Sequence, residues 1–268
     1  MVPDAADEAW SDDAALGGRL HLLQPRRGHR FGHEAILLAA ATAGQAGEHA
    51  IELGAGIGAA GLALAWRVPG LRLTLVEIDP VLAAAAQRNA QRNGLDDRCR
   101  VVVADLSAPA AALVAAGLAP ESADRVLMNP PFYDPESRQL SPDPGRRQAH
   151  AGGSATLAQW IGVAERLLRR RGVLTLIYPA DGLAPMLAAL AGAFGAVTLV
   201  PVHAKPEAPA IRLLANAVKG SRAPLRLLPP LTLTDTDGRQ TPRAEEILRG
   251  GKALMPGNDA PAAPVGKP

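Results

Sequence analysis

The chain has 268 residues, 48% of them hydrophobic, a formal net charge of +2 and a single cysteine, Cys99, which is enough apolar content for one sizeable core. One cysteine excludes an intrachain disulfide and a thiolate zinc cluster, and so small a net charge neither demands nor excludes a nucleic-acid partner. Only four of the 28 basic residues are lysine, so the arginine content reads as coding bias rather than as an RNA-binding signature.

Residues 1–18 hold Asp4, Asp7, Glu8, Asp12 and Asp13 but no Lys or Arg. That is the reverse of a secretory leader, and with no sustained apolar period a mobile acidic segment is expected there. The longest early apolar stretch, residues 35–43, is far shorter than the roughly 20 residues needed to span a bilayer. A soluble, cytoplasmic protein without a membrane partner is therefore expected, with one domain over residues 19–252 and a disordered Pro-spaced tail over 253–268.

Between the ends, short β-branched or leucine runs alternate with alanine-rich segments and no internal repeat, the pattern of βαβ units around a parallel sheet. Strands are predicted at 50–53, 71–76, 100–104, 125–128 and 173–178, each near-continuously apolar as a strand covered on both faces should be. A helix over 81–92 follows Asp79 as cap and Pro80 in its first turn, and stops at Asn93-Gly94. Arg169, Arg170 and Arg171 read as the end of a helix before Gly172, where cations offset the helix dipole. Residues 197–203 and 211–218 read as two more strands, a hairpin joined by the Pro-containing stretch 206–209 that closes the sheet.

The first of the predicted sheet strands runs through Ile51-Glu52-Leu53 into Gly54-Ala55-Gly56-Ile57-Gly58, which turns into an alanine-rich helix. Glycines alternating at a strand-to-helix turn let a backbone approach a ligand where a Cβ would collide with an adenosyl or phosphate group. The stretch also contains Gly56-x-Gly58-x-x-Gly61, so by itself the loop admits NAD or FAD as well. Glu77 closes the next predicted strand, where an acid can accept both ribose hydroxyls of an adenosine cofactor. Asp105, after the third strand, stands where it can accept from an adenine amine, or where it simply caps the helix that follows.

The fourth strand leads into Asn129-Pro130-Pro131-Phe132. Proline disfavours helix in the residue before it and cannot donate a backbone hydrogen bond, so Asn129 and Pro130 are held extended at the sheet edge. An exocyclic amine such as adenine N6 offers two N–H donors, which the Asn129 side-chain oxygen and the Pro130 carbonyl can both accept. The pair would orient the amine and favour a localised nitrogen lone pair for in-line attack on a sulfonium methyl. Phe132, one of only three phenylalanines, supplies a face for a planar base. This chemistry needs no metal, and the histidines lack metal-ligand spacing.

Taken in order, Glu52 to Gly58, Glu77, Asp105 and Asn129 to Phe132 resemble the motifs of class I, Rossmann-like methyltransferases of the amino-methylating branch. Upstream, the run from Gln24 through Phe31-Gly32-His33-Glu34 to Ala39 is similar to the segment before the glycine loop in bacterial tRNA(Val) adenine-N6 methyltransferases, and the likeness reaches Arg212-Leu213-Leu214 and Lys219-Gly220. It departs at Phe132, where tyrosine is common, and at His33-Glu34. The resemblance implies an α/β fold with a seven-stranded, mostly parallel sheet, an antiparallel last strand and helices on both faces. It implies S-adenosylmethionine as methyl donor, tRNA as substrate, and positions for Phe31 and Gly32 beside the cofactor.

Arg26, Arg27, Arg30, Arg146, Arg147, Lys219, Arg222 and Arg226 are candidates for a phosphate-contacting rim. Three activities remain open on the sequence: adenine-N6 methylation of tRNA, the same chemistry on a ribosomal guanine or a protein glutamine, and a non-enzymatic or NAD-binding module for which Asn129 to Phe132 would be idle.

Overall fold

The computed structural model describes residues 9–28, 30–131 and 156–254. A hairpin of β1 (Trp10–Ala15) and β2 (Leu20–Pro25) precedes α1 (His33–Ala41). The sheet then alternates with helices through β3 (His49–Leu53), α2 (Ala59–Arg67), β4 (Arg72–Glu77), α3 (Pro80–Arg92), β5 (Cys99–Val103), α4 (Ala110–Ala115) and β6 (Ala123–Met128). It continues with α5 (Leu157–Leu167), β7 (Leu168–Pro179), α6 (Leu183–Leu190), β8 (Phe194–His203) and β9 (Ala210–Lys219). Short β10 (Arg226–Leu227) and β11 (Leu231–Thr232) precede α7 (Pro242–Leu248). No helix among the described residues is long and apolar enough to cross a membrane.

The long strands lie in the order β8-β9-β7-β6-β3-β4-β5, with β10 and β11 added beside β8. All run parallel except β9, which is antiparallel to β7 and β8. The α/β fold class and the antiparallel last long strand predicted from sequence are therefore observed. From β3 the chain winds outward to β4 and β5, then returns to place β6 on the opposite side of β3. That reversal makes the carboxyl ends of β3 and β6 the switch point at which open α/β sheets bind their ligands.

Alternation along the strands fills two cores, one on each face. Ala50, Leu73 and Leu75 pack with α1, α2 and the hairpin residues Leu20, Leu22 and Leu23. Ile51, Leu53, Val76 and Met128 pack with Ile161, Leu167 and Met186 of α5 and α6. Each fully buried leucine contributes about 1.5–3 kcal/mol relative to an exposed one, so central strands this apolar need helices on both sides. Helix starts follow local chemistry. Asp79 accepts from Val81 N at 2.7 Å with Pro80 in the first turn of α3. Thr156 and Gln159 form a reciprocal capping box at α5.

Two local expectations are corrected. From Trp10 onward the acidic N-terminal segment is not unstructured: β1 pairs antiparallel with β2, and Trp10, Ala15 and Leu16 are buried. Its acids are neutralised in pairs, Asp13 with Arg30 at 2.8 Å and Asp12 with Arg92. Asn89 of α3 bolts the hairpin down by accepting from Leu23 N (2.7 Å) and donating to Leu23 O and Ile57 O. Apolar side chains at both ends of β1 with polar ones between leave no alternation to read. Secondly, α5 stops at Leu167, so Arg169, Arg170 and Arg171 lie on β7 rather than ending a helix, and Arg169 pairs with Asp124.

Candidate active site

The glycine loop leaves β3 and enters α2 with three left-handed residues, Gly54 (φ 66°), Gly56 (φ 55°) and Gly58 (φ 84°). Ala55 N donates to Val76 O (2.9 Å) and Gly58 N to Ala55 O (2.8 Å), so the turn is tied to β4 and to itself. A Cβ at Gly54 would stand 2.4 Å from the Trp160 ring of α5, and one at Gly58 2.8 Å from Leu75 Cδ1. At Gly56 a Cβ would meet nothing within 4 Å: the protein leaves open space on that side of the turn, as a cofactor cradle requires. Gly54→Ala combines a left-handed backbone with a ring clash, so it is expected to cost about 2–5 kcal/mol of stability. Equilibrium unfolding in urea measures this, and an unchanged midpoint would contradict the packing of Trp160 on the loop.

Glu77 ends β4 with its carboxylate turned into the same turn. Its Oε2 accepts from Gly56 N (2.7 Å), and Oε1 accepts from Ile78 N and Asp79 N (both 2.9 Å). The strand-end acid therefore shapes the glycine loop as well as facing the switch point. Asp105 does not cap the helix that follows, whose N-cap is Pro109; its Oδ1 holds a local turn instead, accepting from Ser107 N (2.8 Å) and Ser107 Oγ (2.7 Å).

Glu52 lies behind the loop, where its Oε2 accepts from Gly61 N at 2.7 Å. A Cβ at Gly61 would stand 2.6 Å from that same oxygen, so the third glycine of the Gly-x-Gly-x-x-Gly run serves this contact. Burial pushes the Glu52 carboxyl up to about 8, opposed by the Gly61 amide and reinforced by the charge of Glu77. Between the ordinary value of 4.5 and about 8, the folded chain holds a proton that the unfolded chain releases, so stability falls as pH rises through that window. Glu52→Gln is expected to flatten this slope in unfolding midpoints measured across the window. An equal slope in both proteins would place the proton elsewhere.

Asn129 follows β6 directly. Its Nδ2 donates to Glu34 Oε2 at 3.2 Å. Its Oδ1 is buried and has no hydrogen-bond partner among the described residues. A buried amide oxygen without a donor costs on the order of 1–3 kcal/mol, so the arrangement holds an acceptor ready for a donor that arrives from outside. Pro130 is buried beside it, while Phe132 lies outside the described residues. Glu34, in the first turn of α1, also receives Arg212 from β9: Nε at 2.7 Å and Nη2 at 2.6 Å, both on Oε1.

The segment before α1 is anchored from the hairpin. Phe31 N donates to Gln24 Oε1 (3.0 Å), and Gln24 Nε2 donates to Asp13 Oδ2 (2.9 Å). Phe31 packs partly buried against the core, and Gly32 begins α1 in an extended conformation that any residue adopts. Thus Glu52, Gly54, Ala55, Gly56, Gly58 and Glu77 meet around one turn, with Asn129 and Pro130 at the neighbouring strand end. Trp160, Glu34 and Arg212 are the members of this constellation to which the sequence reading gave no role. The contacts of Glu34 join residues 95 and 178 positions apart, for which no local pattern exists.

One candidate for the basic rim, Lys219, is corrected by the direction of β9. Arg212 pairs with Pro179 at the carboxyl end of β7, whereas Val218, next to Lys219, pairs with Val173 six residues earlier. Seven residues of strand put Lys219 about 23 Å from Arg212. Lys219 donates to Leu168 O (2.7 Å) and pairs with Phe194 at the start of β8, so it sits at the sheet edge opposite the glycine loop. Arg226 pairs with Thr198 midway along β8. Arg26 and Arg27 are exposed beyond β2, Arg30 is paired with Asp13, and Arg146 and Arg147 lie outside the described residues. Among the described residues no three His, Cys, Asp or Glu side chains are grouped to hold a metal ion.

A parallel sheet with a lone antiparallel strand, a glycine loop and strand-end acid at the switch point, and an Asn-Pro-Pro turn beside them define a Rossmann-like methyltransferase fold. The chain belongs to the methyltransferase small domain family, whose model matches residues 31–205. It is 33% identical over 159 residues to a tRNA1(Val) (adenine(37)-N6)-methyltransferase of Porphyromonas gingivalis, covering 58% of this chain and 60% of that protein. It is 32% identical over 162 residues to a release factor glutamine methyltransferase of Chlorobaculum tepidum, covering 58% and 53%. The chain thus spans about 60% of the length of the first curated relatives it matches. A crystal structure of a predicted O-methyltransferase from Agrobacterium tumefaciens superposes with a TM-score of 0.70 at 31% identity, over 83% of this chain and 98% of that one.

Proposed function

We propose that the protein is an S-adenosylmethionine-dependent N-methyltransferase of the cytoplasm that acts on an exocyclic amine, N6 of an adenine in tRNA. The observation that carries this reading is the buried Asn129 Oδ1 at the switch point, which has no hydrogen-bond partner among the described residues, beside a glycine turn where a Cβ at Gly56 would meet nothing within 4 Å. Gly54, Ala55, Gly56 and Gly58 would cradle the cofactor, Glu77 its ribose, Asp105 its adenine through the oxygen that Ser107 does not hold, and Phe31 and Gly32 its flank. Glu52 supports the loop from behind through Gly61. When bound, S-adenosylmethionine supplies an electrophilic methyl group on a sulfonium.

The chain's own part is positioning. Asn129 Oδ1 and the Pro130 carbonyl accept the two N–H bonds of the amine, which aims its lone pair and satisfies the waiting acceptor. Phe132 is proposed as the stacking face for the base. Adenine in tRNA is favoured because relatives from Porphyromonas gingivalis and Shewanella amazonensis carry that activity in their names. Methylation of a protein glutamine is the second reading, favoured by the Chlorobaculum tepidum relative. Family membership leaves the NAD-binding module without support. Incubation with labelled S-adenosylmethionine and either total tRNA or a release factor separates the two: label in tRNA alone is expected, and label in the release factor alone would move the substrate to protein.

A further inference from the structure

We infer that Glu34, clamped by Arg212, is the positioning residue that sets which end of the Asn129 amide faces the substrate. The inference rests on the reading of Asn129 as the acceptor for the amine. A primary amide has one donor end and one acceptor end of nearly the same shape, so its chemistry depends on which way it is turned. A flipped Asn129 would present N–H groups to an amine that itself offers N–H groups. The carboxylate of Glu34 accepts and does not donate, so it takes Nδ2, at 3.2 Å, and leaves Oδ1 as the buried acceptor without a partner among the described residues.

Glu34 is in turn held in one orientation. Arg212 occupies Oε1 with two nitrogens, at 2.7 and 2.6 Å, so Oε2 is the oxygen turned to Asn129. The relay runs from β9 through the first turn of α1 to the end of β6, three elements that meet only in the folded chain. Glutamine at position 34 breaks this logic without changing shape. To accept from Asn129 with its oxygen, it must aim its own NH2 at the Arg212 guanidinium, donor against donor. Turned the other way, it releases Asn129 to flip.

The test compares the parent with Glu34→Gln, Glu34→Asp, Arg212→Ala and Asn129→Ala, using total tRNA from a strain lacking the protein, with cofactor affinity and melting temperature measured alongside. Glu34→Gln is expected to lower kcat by about 10–100-fold with KM and cofactor affinity little changed. Arg212→Ala should show a smaller loss of the same kind, and Glu34→Asp a partial recovery. A second readout needs no substrate: with 15N-asparagine labelling, hydrogen exchange at the Asn129 side-chain NH2 should speed up in Glu34→Gln. If Asn129→Ala is inactive while Glu34→Gln keeps kcat within about twofold of the parent, or loses only stability, the inference is overturned and the reading of Asn129 stands. If Asn129→Ala itself retains turnover, that reading fails. Unchanged exchange at the Asn129 amide overturns the inference on its own.

Discussion

Asn129→Ala lowers kcat for methyl transfer by about 10²–10³-fold, the loss seen when a single preorganised hydrogen-bonding group is removed from an active site. Cofactor affinity stays close to that of the parent, because the loop proposed to hold the adenosine is built from Gly54 to Gly58 and Glu77. None of the hydrogen bonds that fix that turn involves Asn129. Stability changes little or rises, since the variant deletes a buried oxygen that has no partner among the described residues. Single-turnover kinetics with calorimetric cofactor titration make the comparison. Turnover at the parental rate would remove Asn129 from the chemistry. A collapse of cofactor affinity would mean that the Asn-Pro-Pro turn holds the cofactor instead of the amine.

Glu77→Ala has the second large effect, and it is expected on two readouts. The carboxylate accepts from three backbone amides, Gly56, Ile78 and Asp79, and hydrogen bonds to charged groups contribute about 1.5–3 kcal/mol each. Removing it frees the glycine turn and deletes the acceptor proposed for the ribose hydroxyls. Cofactor affinity should fall by at least about 100-fold and the unfolding midpoint should drop. Glu77→Gln separates the roles: its oxygen can keep Ile78 N and Asp79 N, but its NH2 then opposes Gly56 N, so stability should recover more than affinity. Parental affinity in both variants would show that the ribose lies elsewhere.

What was legible in the sequence follows from which signals are local. Strands covered on both faces must be apolar throughout, so β3 to β9 could be placed to within a few residues at most ends from runs such as Leu73 to Val76. The glycine loop was legible because left-handed backbone at Gly54, Gly56 and Gly58 needs glycine. The hairpin was not, because β1 hides its burial at its two ends and neutralises Asp12 and Asp13 with Arg92 and Arg30, partners far along the chain. Lys219 dropped out of the basic rim for a topological reason: a strand that runs backwards carries Arg212 to the site and Lys219 away from it. Glu34 stood in view as a departure from the family's pattern, but its value lies in Arg212 and Asn129, which only tertiary structure brings to it.

The central claim is that this site methylates an adenine amine in tRNA. The most direct test is transfer from labelled S-adenosylmethionine to total tRNA from a strain lacking the protein, followed by nucleoside analysis. The account predicts label in N6-methyladenosine. Measurable cofactor binding with no label in any tRNA nucleoside would contradict it.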